Sequence, residues 1–316
     1  MSNSDTPLQQ VVARQRTSLF NILLDPMQRA ACRCAKVWGQ KEKLDQTLME
    51  SLHDLPYGTF MYVVTPGGIQ VSDNASHTGP DPKQLGRDRS HRPYMQNLDP
   101  EQEMTLSESY ISLRVNRPSI TAIQRITRDG AFLGYLGTDF DLRDLPLTRE
   151  HFQQPGQWRQ IKGDPSIRSQ VFQQCRIESP LDKEIDLIIP VLEELMEENG
   201  IFHGKIHFSS SRATLWSIQD PFRYHILNYE ELVDPDICLA YPPCDYPEDA
   251  VVPKGQIRPI LDTFKHLRMA DETIYLRAGS VNIFNGIVGL NFSCDGSHYI
   301  PYDQFLARDS EFWEGM

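Results

Sequence analysis

A strand–turn–strand pattern between residues 119 and 140 constrains the fold of this 316-residue chain more than any other feature. Ser119 to Ile126 alternates apolar and polar residues with the period of a half-buried strand. Asp129-Gly130 then supplies a tight turn that tolerates positive φ, and Phe132 to Phe140 returns as a second strand. The pattern therefore predicts an antiparallel hairpin, and with it a β-sheet, in this part of the chain.

Four side chains around this hairpin are suited to holding a small polar molecule. Arg92 and Tyr94 precede it, Tyr110 follows them, and Asp139 lies near the end of the second strand. A guanidinium binds a carboxylate through two parallel hydrogen bonds, and a carboxylate binds an amine. We predict that these four residues line a binding site for a zwitterion or another small polar metabolite.

Each of these residues also has a purely structural interpretation. Asp139 caps the turn after the last strand in that interpretation, and Tyr110 is a core residue whose hydroxyl reaches the sheet edge. Arg92 then pairs with Asp88 or Glu108 on the surface, which contributes little to stability. The sequence leaves both interpretations open.

Residues 57–145 resemble the Cache sensor domain of bacterial receptors, which is PAS-like and is also called PDC. The resemblance covers an opening hairpin over residues 60–73, the Ser90-His91-Arg92-Pro93-Tyr94 segment, and the closing strand from Gly134 to Leu142. It implies a curved antiparallel sheet with a pocket above it for a small metabolite. It also implies a role in signal transduction.

One subgroup of Cache domains senses amino acids and amines, and its motif bears on the ligand. The motif has an Arg, two aromatic residues just after it, a later Tyr and a still later Asp. Arg92, Tyr94, Tyr110 and Asp139 fall at matching places. Two positions depart from the motif, because Met95 replaces the second aromatic residue and Arg87 replaces an upstream Tyr. The resemblance therefore implies a ligand that is an amino acid, an amine or a carboxylate.

Composition excludes several classes of partner. No apolar run reaches the ~18–20 residues that a membrane span needs, and no secretory signal is visible at the N-terminus. We therefore expect a cytoplasmic protein with no membrane partner and with its six cysteines reduced. Residues 151–316 contain 25 acidic and 14 basic side chains, which argues against a nucleic-acid partner.

The fold class that we predict is α+β, with four parts along the chain. Residues 1–55 form N-terminal helices, with a second helix starting at Asp25-Pro26. Residues 56–150 form the Cache-like domain, residues 151–178 a linker, and residues 179–316 a second α+β domain of no recognised family. The apolar residues of the N-terminal helices either belong to the core or make a homodimer.

No catalytic signature is visible in the sequence. There is no G-x-S-x-G, no phosphate-binding loop, no G-x-G-x-x-G and no H-E-x-x-H, so we expect neither an enzyme nor a cofactor or metal. The first hypothesis is a cytoplasmic small-molecule sensor that passes its signal to a separate protein. The alternatives are an enzyme with its active site in residues 179–316 and an interaction scaffold.

Overall fold

The chain forms two compact units, residues 1–148 and 149–316, in a computed structural model. The structure describes residues 7–96, 98–99, 102–112, 117–145, 175–294 and 296–307. Most of the predicted linker, residues 151–174, lies outside the described residues. No helix within the described residues is long and apolar enough to cross a membrane.

Unit 1 begins with two helices, α1 (Pro7–Lys36) and α2 (Lys41–His53). The prediction of a helix break at Asp25-Pro26 is wrong, because α1 continues through Pro26. An interior Pro removes one helical hydrogen bond and costs about 3 kcal/mol. Leu23 and Met27 flank it and are both fully buried, and this burial offsets the cost.

The sheet of unit 1 is antiparallel and contains the predicted hairpin. Asp129 and Gly130 both have positive φ, at 51° and 78°, as a two-residue hairpin turn requires. The strand order is β2-β1-β6-β5-β3, and β4 also pairs with β5. The strands are β1 (Gly58–Val64), β2 (Ala75–Ser76), β3 (Met104–Leu106), β4 (Tyr110–Ile111), β5 (Pro118–Arg128) and β6 (Ala131–Asp141).

The two faces of this sheet have different neighbours. Thr138 of β6 donates a hydrogen bond to the sulfur of Met27, so its face packs against α1. Side chains alternate across a strand, and the next residue, Asp139, therefore points to the opposite face. That face carries Tyr62 and Thr121. Residues 84–92, which lead into a short helix α3 (Pro93–Gln96), lie over this face.

Unit 2 combines a second antiparallel sheet with five helices among its described residues, so the predicted α+β class is confirmed. The strand order is β12-β11-β10-β7-β8-β9. The strands are β7 (Ile201–His207), β8 (Arg212–Ser217), β9 (Asp220–Asn228), β10 (Leu276–Asn282), β11 (Ile287–Phe292) and β12 (Ser297–Pro301). The helices are α4 (Pro180–Lys183), α5 (Ile185–Glu198), α6 (Tyr229–Val233), α7 (Ile257–Met269) and α8 (Tyr302–Ala307).

A buried ion pair ties α7 to α4. Arg268 donates from Nε and Nη2 to the two carboxylate oxygens of Asp182, at 2.9 and 2.8 Å. Both side chains are almost completely buried, and the guanidinium lies 4.9 Å from the ring centre of Tyr275. Asp182 also closes the capping box with Ser179 at the start of α4. The pair therefore connects two helices that are far apart in sequence.

Candidate ligand-binding site

A cavity of about 80 Å³ lies over the face of the unit 1 sheet that carries Asp139. One water needs roughly 10–15 Å³ of such volume, so the cavity has room for a molecule of several heavy atoms. Its lining comes from strands β1, β4, β5 and β6 and from the segment before α3. The lining residues are Thr59, Phe60, Asn74, Gln84, Arg87, Arg89, Arg92, Tyr94, Tyr110, Ser112, Ser119, Asp139, Phe140 and Asp141.

The structure brings all four predicted site residues to this one cavity. Arg92 and Tyr94 come from the start of α3, Tyr110 from β4, and Asp139 from β6. The rings of Tyr94 and Tyr110 are 5.8 Å apart at a tilted angle. Three segments that are separate in sequence thus present a guanidinium, two phenols and a carboxylate to the same space.

Asp139 is held in place by two hydroxyl groups and keeps one oxygen available. Thr121 Oγ1 and the Tyr62 hydroxyl donate to Oδ1 at 2.8 and 3.1 Å. Within the described residues, no group donates to Oδ2. The turn after β6 is capped by Asp141, which accepts a hydrogen bond from the Arg143 backbone, so Asp139 is not that cap.

The carboxyl of Asp139 is poorly solvated. Burial raises its pKa above the ordinary value, although the hydrogen bond from Thr121 and the charges of Arg89 and Arg92 act in the opposite direction. The charged form therefore lacks part of the stabilisation that water would give it. A cation placed against Oδ2 would supply that stabilisation.

Arg92 is half-buried in the cavity wall, and its guanidinium has no hydrogen-bond acceptor or ion-pair partner in the described part of the chain. Its backbone is held by a hydrogen bond to the carbonyl of Arg89 at 2.9 Å. The Asp88 carboxylate instead accepts a hydrogen bond from the Ser90 backbone, and no ion pair joins Arg92 to Asp88 or Glu108. The Arg92 guanidinium is therefore open to an anion.

Arg89 is the principal residue that sequence reasoning missed. Its side chain is buried, and its guanidinium lies 3.9 Å from the ring centre of Tyr62. It donates to Gln70 Oε1 at 2.7 Å, to the Tyr94 hydroxyl at 2.9 Å and to Asn74 Oδ1 at 3.3 Å. Arg89 thus positions Tyr94. The only indication in the sequence is the density of arginines in residues 87–92.

Gly137 makes room for the Tyr62 ring, which reaches across β6 toward Asp139. The two residues are paired across β1 and β6, and a Cβ at Gly137 would lie 2.6 Å from the ring. We expect Gly137→Ala to displace the ring and to lower the free energy of unfolding by roughly 1–3 kcal/mol, the range for overpacking. Chemical denaturation measures this loss. Gly67→Ala is the control, because its added methyl meets only one atom, at 3.9 Å. Equal stability of the two variants would contradict the packing argument.

Comparisons with known proteins find partial similarity to solved structures alone. No family model and no curated protein matches this chain. Solved structures that match include the ligand-binding domain of the Pseudomonas fluorescens chemoreceptor CtaA in complex with L-valine. It is 21% identical at a TM-score of 0.32, over 42% of this chain and 58% of that one.

Two further matches are a sensory domain and a ligand binding receptor. The sensory domain of the Campylobacter jejuni chemoreceptor Tlp3 with isoleucine bound is 17% identical at a TM-score of 0.34, over 47% of this chain and 60% of that one. An extracellular ligand binding receptor from Desulfohalobium retbaense is 17% identical at a TM-score of 0.31, over 45% of this chain and 26% of that one. This chain thus spans 26% to 60% of these three structures. Because the three TM-scores lie below 0.5, the function of this chain is argued from its own residues.

Proposed function

We propose that the cavity of unit 1 binds a small zwitterion with a carboxylate and an ammonium group, such as an amino acid, and that the protein is a sensor of that ligand. The observation that carries this proposal is the pair of open charges in one cavity. The Arg92 guanidinium and Oδ2 of Asp139 have no partner among the described residues. An α-carboxylate would bind the first and an α-ammonium the second.

The two tyrosines add to this complementarity. Tyr94 and Tyr110 stand side by side in the cavity wall, and the Tyr110 hydroxyl is bonded to Thr121 Oγ1 at 2.8 Å. The face of an aromatic ring attracts a cation and also packs against the carbon atoms of a ligand. Polar groups that converge on one cavity together with aromatic rings are a common mark of a small-molecule site.

A screen of thermal stability with amino acids, amines and carboxylates tests the proposal. A ligand that binds only the folded state raises the melting temperature by mass action. We expect at least one amino acid to do so, and Arg92→Ala to weaken its binding by roughly 10- to 150-fold, the range for a hydrogen-bonded charge. Calorimetry gives the affinities.

The matched control for this variant is Arg33→Ala, which removes the same charge from an exposed pair with Asp54 on the α1 surface. We expect it to keep the affinity of the wild type. Equal affinities in Arg92→Ala and the wild type would remove Arg92 from the site, and no response to any compound would refute the binding function.

A sensor also has to pass its bound state onward. Asp139 lies two residues before the end of β6, and the chain continues from there toward residues 179–200 of unit 2. We expect ligand to change hydrogen exchange within residues 179–200 as well as around the cavity. Protection that changes only within residues 57–145 would reduce the sensor to simple ligand binding. Coupling of this kind requires two states with different affinity for the ligand.

Location and assembly stay predictions from the sequence. A cytoplasmic protein should be recovered in the soluble fraction of cells after the periplasm has been removed. A homodimer should give twice the chain mass in light scattering at micromolar concentration. Of the large apolar side chains of α1 that the structure describes, Ile22 is the one that remains exposed, at 41%.

The enzyme and scaffold alternatives have no comparable observation in their favour.

A further inference from the structure

Three arginines line the cavity, which is more than a neutral ligand needs. Arg89 is buried and Arg92 half-buried, whereas Arg87 is exposed at the edge of the cavity. All three remain protonated at any physiological pH. Their charges therefore add to one another across the whole pH range in which the protein works.

The acidic side chains of the lining do not balance these arginines. Asp139 and Asp141 are the two carboxylates among the described lining residues. Asp141 is already neutralised, because Arg143 Nε donates to its Oδ1 at 2.8 Å and Arg143 Nη2 bonds to its Oδ2. Asp139 is then the one carboxylate of the described lining that no ion pair neutralises, against three guanidinium groups in the same lining. The side chains that line the cavity therefore carry a net positive charge.

Arg87 adds a second group of donors to the cavity lining, and its side chain is exposed. Its Nη1 donates to Gln84 Oε1 at 2.6 Å, which holds the guanidinium against the Gln84 side chain. This bond uses the acceptor of the Gln84 amide and leaves its Nε2 as a donor. The edge of the cavity thus presents guanidinium and amide N–H groups, the pattern that binds a carboxylate.

We infer that the cavity is built for an acidic amino acid, with two carboxylates and one ammonium, rather than for a neutral or basic one. This inference rests on the proposed function and adds the side chain of the ligand. The first carboxylate and the ammonium bind Arg92 and Asp139. The second carboxylate binds Arg87 and Gln84, and its charge reduces the net positive charge of the cavity.

Calorimetry on the full chain with L-glutamate, L-aspartate, L-alanine and L-lysine tests this inference. We expect an acidic amino acid to bind about fivefold more tightly than L-alanine, the upper end for an exposed ion pair. L-Lysine should bind most weakly. Added salt should reduce the acidic advantage, because the rim charge is exposed. Arg87→Ala should bring the ratio of acidic to alanine affinity close to one, and Arg87→Lys should restore part of it.

Arg33→Ala serves again as the control of equal net charge, and it should keep the wild-type ratio. Binding of L-alanine as tight as that of both acidic amino acids would overturn the acidic preference and leave the proposed function standing. A ratio that is the same in Arg87→Ala and the wild type would overturn the role of Arg87 and with it this inference. Absence of binding by both acidic amino acids would overturn this inference, whereas the proposed function is overturned only if no compound of the wider screen binds.

Discussion

Replacing Asp139 with Asn is expected to raise the melting temperature of the free protein and to weaken zwitterion binding at the same time. Asn keeps an acceptor for the Thr121 and Tyr62 hydroxyls and removes a carboxylate whose burial disfavours its charge. The ligand loses a charged partner, which costs about 1.5–3 kcal/mol, or roughly 10- to 150-fold in affinity. Thermal melts and calorimetry measure the two effects.

The pKa of Asp139 determines how stability and ligand binding change with pH. The folded pKa of Asp139 lies above the ordinary value of 3.8, so the folded state favours the protonated form. The stability that this proton contributes is fully present below pH 3.8 and is lost as pH rises through the raised pKa. The advantage of Asp139→Asn should therefore grow with pH over that interval and then level off. Ligand binding to the wild type should weaken as pH falls through the same pKa.

Asp141→Asn is the matched contrast, since Asp141 accepts three hydrogen bonds from Arg143 and caps the turn after β6. We expect this variant to lower the melting temperature. If Asp139→Asn lowers it as well and leaves the affinity unchanged, Asp139 is a structural residue and the site assignment is wrong. A higher melting temperature in Asp139→Asn and a lower one in Asp141→Asn would identify Asp139 as a binding group that lowers the stability of the free protein.

Arg268→Ala should lower the free energy of unfolding of unit 2 by about 3–5 kcal/mol, the loss expected when one partner of a buried ion pair is removed. The variant leaves the Asp182 carboxylate buried without its cation. Denaturation followed by circular dichroism measures the loss. Loss of this pair also separates α7 from α4, so the transition should become less cooperative.

Lys265→Ala on the same helix provides the control. Lys265 pairs with Asp186, whose side chain is 80% exposed, and an exposed pair contributes at most about 1 kcal/mol. We expect this variant to unfold close to the wild type. Similar losses of unfolding free energy in Arg268→Ala and Lys265→Ala would show that burial does not determine how much the Arg268–Asp182 pair contributes to stability.

Local patterns predicted much of the fold correctly. The Asp129-Gly130 turn and the strands on either side of it lie where the sequence indicated. Propensity and periodicity act over a few residues, so such elements are readable without tertiary contacts. The fold class followed from the same elements.

Two kinds of element escaped these patterns. The strand β9 begins with Asp220, Pro221 and Phe222, and this start lacks the alternation of a half-buried strand. Pro26 is a helix-breaking residue by local rules, yet α1 continues through it, because the burial of Leu23 and Met27 outweighs the lost hydrogen bond. Contacts outside each local pattern decided both cases, because pairing with β8 holds β9 and the burial of Leu23 and Met27 holds α1.

The candidate binding groups Arg92, Tyr94, Tyr110 and Asp139 could be predicted from the sequence, because their types and order can be read along the chain. Their convergence on one cavity, the contact of Arg89 with Tyr94 and the neutralisation of Asp141 by Arg143 became visible in the folded chain. The residues that line the cavity lie up to 82 positions apart in sequence, from Thr59 to Asp141, so their approach depends on sheet pairing and packing. The net charge of the cavity lining depends on these contacts, so local sequence patterns do not predict it.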